Sequence, residues 1–193
     1  MVKSVPLATK KDLSISTTKA TLWSFVFGMP LACLLMYLYI WRWNAVLNIS
    51  NAKSEAFLFF VIGFITILIL GSLIHELIHG FSWAYFSHKP LNAIKFGFQW
   101  KTLTPYAHCG ESMEVQAYRL GGIMPLLVLG ILPSLIGIGI GNGWIMFFGF
   151  LFTVAAGGDL LVLWLIRDVR PGQLVEDHPT QVGCYLIGTQ TEK

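Results

Sequence analysis

Long apolar runs separated by short polar segments dominate the chain. Crossing a hydrocarbon core of about 30 Å takes about 20 helical residues. Four runs reach that length, at roughly 21–41, 56–84, 119–140 and 143–166. The pattern predicts an all-α membrane protein with about four transmembrane helices. Trp41, Trp43, Trp83, Tyr85, Trp144 and Trp164 gather near span ends, where aromatic rings favour the membrane–water interface. Asn48, Ser50 and Asn51, with their neighbours, separate the first two spans. A Gly-Asn-Gly turn at 141–143 joins the last two. Pro125 and Pro133 fall inside the third span. Each removes a backbone donor, so that span is expected to be bent or partly re-entrant.

Segment 87–118 breaks the pattern. Ile94, Phe96, Phe98 and Trp100 alternate with Lys95, Gly97, Gln99 and Lys101. Met113, Val115 and Ala117 alternate with Glu114 and Gln116, and Pro105 and Gly110 punctuate the stretch between. A period of two is the signature of a strand with one apolar face. Together the two stretches predict a small amphipathic β-hairpin on the membrane surface. The hairpin edge suits either an interfacial anchor or a site that holds a substrate strand by β-addition. The chain then divides as one integral membrane domain: an N-terminal segment 1–20, a membrane core 21–170 carrying the hairpin, and a tail 171–193 expected to be loosely ordered. The first apolar run is too long for a signal-peptide core and lacks a small-residue cleavage site, so it is expected to remain as a helix.

Composition agrees with a polytopic membrane protein. Hydrophobic residues make up 55% of the 193 and charged residues 12%, about half the charge density of a soluble domain. The net charge of +3 does not indicate a nucleic-acid partner, because the basic residues form no stripe that could track phosphates. Their placement is informative in another way. Lys3, Lys10, Lys11, Lys19, Lys89, Lys95, Lys101, Arg119, Arg167, Arg170 and Lys193 fall on one side of a four-span topology; only Arg42 and Lys53 fall on the other. The positive-inside rule therefore places both termini and the hairpin in the cytoplasm of a multi-pass protein of the cell membrane. Cys33, Cys109 and Cys184 are widely spaced, with no CxxC pair, and do not make a disulfide framework.

The second span contains GSLIHELIHG at 71–80. On a helix, residues four apart lie on one face, so His75 and His79 project together. Two imidazoles so placed can reach one ion at about 2.0–2.1 Å from each nitrogen. Glu76 lies on the flank of that face, suited to hydrogen-bonding a water at the metal, the general-base position of HExxH hydrolases. By average residue usage the motif arises by chance in roughly one chain of this size in a few hundred. An acidic group at the centre of a membrane helix costs about 2.5–3.5 kcal/mol on insertion scales and usually marks function.

A catalytic zinc site needs a third protein ligand and one open position. Asp159, the other acidic residue within an apolar span, lies at a depth similar to the motif, and Gly157 and Gly158 would let helix backbones approach closely there. His108, Cys109, Glu111 and Glu114 in the intervening loop are rival ligands. Cys109 and His108 do not suit a nucleophile–base pair, because adjacent strand residues point to opposite faces.

HELIHG on a membrane helix, a hairpin, and an aspartate on a later helix together resemble the site-2 protease type of intramembrane zinc metalloprotease. With PYAHCGE and the GGDL stretch, residues 55–170 look more closely like the bacterial family of zincin membrane peptidases. The resemblance implies His75 and His79 as zinc ligands, Glu76 as catalytic base and Asp159 as third ligand. It also implies hydrolysis of a protein or peptide substrate associated with the lipid bilayer. GGDLL departs from the LDG sequence and preceding Asn-Pro of site-2 proteases, so the third ligand stays open. Two other classes remain in view. One is a structural zinc site closed by His108 or Cys109. The other is a small proton or metal transporter using His75, Glu76 and Asp159.

Overall fold

The computed structural model describes residues 9–44, 54–100 and 104–188, with side chains of the second helix from residue 61 onward. The loop residues Asn48, Ser50, Asn51 and Lys53, together with Lys101 and the chain ends, lie outside the described residues. The protein is mostly helical. Four helical runs are long and apolar enough to cross a membrane: Thr17–Trp43, Val61–Phe86, Val115–Ile140 and Gly143–Leu165. These match the four apolar runs of the sequence. Their aliphatic and aromatic faces stay exposed, including Leu22, Phe25, Ile62, Ile65, Leu70 and Leu135. Such continuous apolar faces on helices of this length suit a hydrocarbon surrounding, the architecture of a multi-pass membrane protein.

Helix α1 spans Thr17–Trp43 and ends on Asn44, whose left-handed φ of 46° lets its N–H close back onto Ile40 O. Helix α2 spans Ser54–Phe86 and carries the HExxH motif in its last third. The third run is composite. Helix α3 (Val115–Pro125) passes into a six-residue π-helical stretch, Leu126–Ile131, and then into α4 (Leu132–Ile140). The π stretch ends just before Pro133, where a missing N–H would leave a tight α-helical ladder short of a donor. The run is helical throughout rather than re-entrant. Gly141 adopts φ 72° to end α4. The Asn142 side chain then accepts from the N–H groups of Trp144 and Ile145, starting α5 (Gly143–Ala155). Ala156 breaks the fourth run, and α6 (Gly157–Leu165) carries Asp159 in its first turn.

The hairpin exists, but its second strand differs from the expectation. Strand β2 (Ile94–Gln99) pairs antiparallel with β3 (Thr104–Cys109), from Ile94↔Cys109 to Gln99↔Thr104. The alternating stretch 113–117 is not its partner. Met113–Glu114 is a two-residue strand of the other sheet, and Val115 and Ala117 are helical and buried in α3. A three-residue apolar alternation is too short to separate strand from helix start. Pro105 looked like punctuation, yet it sits within β3. Its N-side shares an edge with that of Ala107, which faces away from β2, so the missing donor costs the ladder nothing.

The second sheet is also new relative to the sequence reading. Strands β1 (Thr9–Ile15), β4 (Met113–Glu114), β5 (Leu174–Asp177) and β6 (Val182–Gly188) form one antiparallel sheet in the order β1-β6-β5-β4. Much of the tail expected to be loose is therefore ordered, at 174–188, through pairing with residues from far away in the chain. A core of Trp83, Ile94, Cys109, Met113, Val115, Tyr118, Ile166, Val175 and Cys184 lies where this sheet, the hairpin and the ends of α2, α3 and α6 meet. That core underlies the candidate site.

Candidate metal centre

The site forms at the crossing of α2, α3 and α6. His75 and His79 stand one turn apart on α2, with ring centroids 4.9 Å apart. They are 9% and 5% exposed. Asp159 reaches them from α6. His75 Nε2 lies 3.1 Å from Asp159 Oδ2, and His79 Nε2 lies 3.1 Å from Asp159 Oδ1. One ligand atom from each of the three lies within 4.8 Å of the others, a spacing that could hold a metal ion. The donor set of two imidazoles and one carboxylate is one that zinc accepts. Asp159 Oδ2 is buried, and its 3.1 Å approach to His75 Nε2 does not meet hydrogen-bond geometry. A buried carboxylate oxygen left without a donor is costly, and a cation between it and His75 would resolve that cost. The residues present therefore fit a metal.

Several neighbours fix the rings. His79 Nδ1 lies 3.0 Å from Gly121 O of α3. A carbonyl only accepts, so Nδ1 carries the hydrogen and Nε2 is the nitrogen turned to Asp159. Trp83, one turn further along α2, stacks on His79 at 5.1 Å and on Tyr118 at 5.4 Å. Its Nε1 donates to Tyr118 O at 3.2 Å. Glu76 points to the hairpin, where its Oε2 accepts from the Ala107 N–H of β3 at 2.8 Å. That bond holds the carboxylate beside the two histidines of its own helix turn. From α3, Arg119 donates to the Val169 carbonyl at 2.8 Å and to that of Ile166, closing the end of α6.

The structure brings Asp159 to the histidines and does not bring the loop group. His108 Nδ1 donates instead to Asp177 Oδ2 at 2.8 Å, and Tyr118 Oη donates to Asp177 Oδ1 at 2.9 Å. The bond to Asp177 raises the His108 pKa above its ordinary value, against the effect of burial. Cys109 is fully buried and its thiol donates to Glu111 O. Burial pushes its pKa up, the opposite of what a nucleophile or thiolate ligand needs. Glu111 pairs with Lys89. Glu114 accepts from Gly172 N–H at 3.0 Å.

The glycines before Asp159 act on a different neighbour from the one expected. A Cβ on Gly157 would lie 1.9 Å from Ser24 O, and one on Gly158 3.3 Å from Ser24 Oγ. They bring α6 against α1, not against the motif helix, and the Asp159 side chain reaches across to α2. Gly121 and Ala107 also serve the site, but they act through their backbones and leave no side-chain signal in the sequence. Pro125, four residues after Gly121, was the available clue to the first.

No curated protein and no solved structure matches the chain. A family model does, the one described as "Putative zincin peptidase", over residues 67–174. The match covers more than half of the chain and includes His75, Glu76, His79 and Asp159, so the chain belongs to this zincin-like family.

Proposed function

We propose that this protein is an intramembrane zinc metallopeptidase of the site-2 protease type. The carrying observation is the buried cluster in which His75 and His79, on the same turn of α2 as Glu76, meet the carboxylate of Asp159 from α6. His75 Nε2, His79 Nε2 and Asp159 would hold the zinc. The aspartate's negative charge offsets part of the ion's charge, which matters most at low dielectric. A zinc held by these residues would supply Lewis acidity, polarising a scissile carbonyl and making water a better nucleophile near neutral pH.

Glu76 would act as general base, taking a proton from the attacking water and returning it to the amine nitrogen as the peptide bond breaks. The Ala107 N–H steadies its carboxylate. His79 stays oriented by Gly121 O throughout. The substrate would be a membrane-associated protein or peptide. An extended substrate segment would add along the edge of the hairpin, near the base. A closed structural zinc site would need a fourth protein ligand, and among the described residues the group contains three. The distribution of Lys and Arg supports a plasma-membrane protein with both termini and the hairpin cytoplasmic.

The test uses wild type, Glu76→Gln and Asp159→Ala in detergent, with bound zinc and cleavage of a co-expressed membrane substrate both measured. Glu76→Gln should keep zinc and lose cleavage by a factor of about 100 or more. Asp159→Ala should lose both. Zinc loss in Glu76→Gln, or unchanged cleavage, would remove Glu76 as the base. Normal zinc content in Asp159→Ala would remove the aspartate as a ligand.

A further inference from the structure

Pro125 has no part in the chemistry above, yet it is fully buried in the third membrane run. Its nitrogen has no hydrogen, so the carbonyl four residues earlier lacks the donor that an unbroken α-helix would give it. That carbonyl belongs to Gly121. The next N–H along, from Leu126, turns to Ile123 O instead. Gly121 O is the carbonyl that meets His79 Nδ1, at 3.0 Å. The close approach depends on glycine, since a Cβ at 121 would lie 2.1 Å from Trp83 Cδ1, in the ring that stacks on His79.

We propose that Pro125 is a positioning residue of the metal centre. By lacking an N–H it reserves the Gly121 carbonyl for His79, and so sets the tautomer that presents Nε2 beside Asp159. This rests on the metal centre proposed above. The rival explanation is that the proline only shapes the helix. Pro133 provides the comparison: it removes a donor from the same run, but the carbonyl four residues before it belongs to Leu129, which is not among the site residues.

The experiment uses the full chain in detergent. Zinc affinity is measured by chelator competition for wild type, Pro125→Ala and Pro133→Ala, with helix content followed by circular dichroism. Nitrogen-15 NMR of labelled histidine reads the His79 tautomer in metal-free wild type, at a pH where the ring is neutral. Alanine restores the N–H, which then competes for Gly121 O, so Pro125→Ala should bind zinc about 10–100-fold more weakly. Pro133→Ala should match wild type, and wild-type His79 should carry its hydrogen on Nδ1. Equal affinities for Pro125→Ala and wild type, or equal losses in both proline variants, would overturn the inference. So would a hydrogen on Nε2 in the wild type, which decides the matter even if Pro125→Ala misfolds. Failure of the wild type itself to bind zinc would remove the metal centre and this inference with it. Zinc binding that Pro125→Ala leaves unchanged would remove the inference alone.

Discussion

At the scale of single residues, the most constrained positions are small ones whose neighbours are backbone. Gly157 abuts Ser24 O of α1, and Gly28 of α1 abuts Val154 O of the fourth run, where a Cβ would come within 2.6 Å. Backbone atoms cannot rotate aside, so a side chain at either site must push the helices apart. Gly157→Ala is expected to cost about 1–3 kcal/mol as overpacking. It should also weaken zinc binding, because Asp159 lies two residues along the displaced helix. Gly158→Ala meets only the Ser24 hydroxyl, at 3.3 Å, which can turn away, and should be milder in both respects. Melting temperature and zinc affinity for the two variants check this. Indistinguishable behaviour would reject backbone contact as the reason for Gly157.

At the scale of elements, the hairpin and the C-terminal strands are joined by a hydrogen bond that depends on a proton. His108 on β3 donates to Asp177 on β5, and Ala107 beside it holds Glu76. Lys95, opposite His108 on β2, works against the charged ring, while Glu176 supports it. The folded-state pKa is raised, so the stabilisation is fully present below the ordinary histidine value of about 6.5 and is lost as pH rises through the raised value. Thermal stability of the wild type should therefore fall with pH across that window. His108→Gln keeps a donor without the titration, so its melting temperature should change less over the same range. Parallel pH profiles would show that this bond does not tie the hairpin down. Cys184, in the same core, has its thiol pushed up to about 12 by burial. It should resist thiol reagents until the protein unfolds.

For the whole molecule, the four-stranded sheet carries a topological consequence. Strand β1 precedes the first membrane run, β4 precedes the third, and β5 and β6 follow the fourth. Strands hydrogen-bonded in one sheet must lie on one side of the bilayer, which four crossings allow. Tags on the two ends should therefore show the same protection in sealed vesicles. Opposite protection of the two tags would break the fold described here. Zinc should also stabilise the folded protein by mass action, by about 2.7 kcal/mol at a hundredfold excess over the dissociation constant. A chelator should lower the melting temperature of wild type and Glu76→Gln alike, and leave Asp159→Ala unmoved. A chelator shift that persists in Asp159→Ala would place the metal elsewhere.

The four spans and the HExxH face were legible because they rest on local rules. A run of about 20 apolar residues answers to bilayer thickness, and a spacing of four answers to helix pitch. The depth of Asp159 was legible for the same reason, since helix direction and residue count fix depth. Choices among partners far apart in sequence were not. Alternation at 113–117 could not show that residues 104–109 take β2 as partner, or that Met113 pairs with Val175. The polar tail could not show that β1 would order it. Asp159 rather than His108 or Cys109 meets the histidines because α6 packs on α1 through glycines and because Asp177 claims His108 first. By itself the sequence determined the spans and two histidines with a glutamate on one helix turn. The tertiary structure decided which distant groups complete that turn, because those contacts depend on packing and hydrogen bonding between segments that no local period encodes.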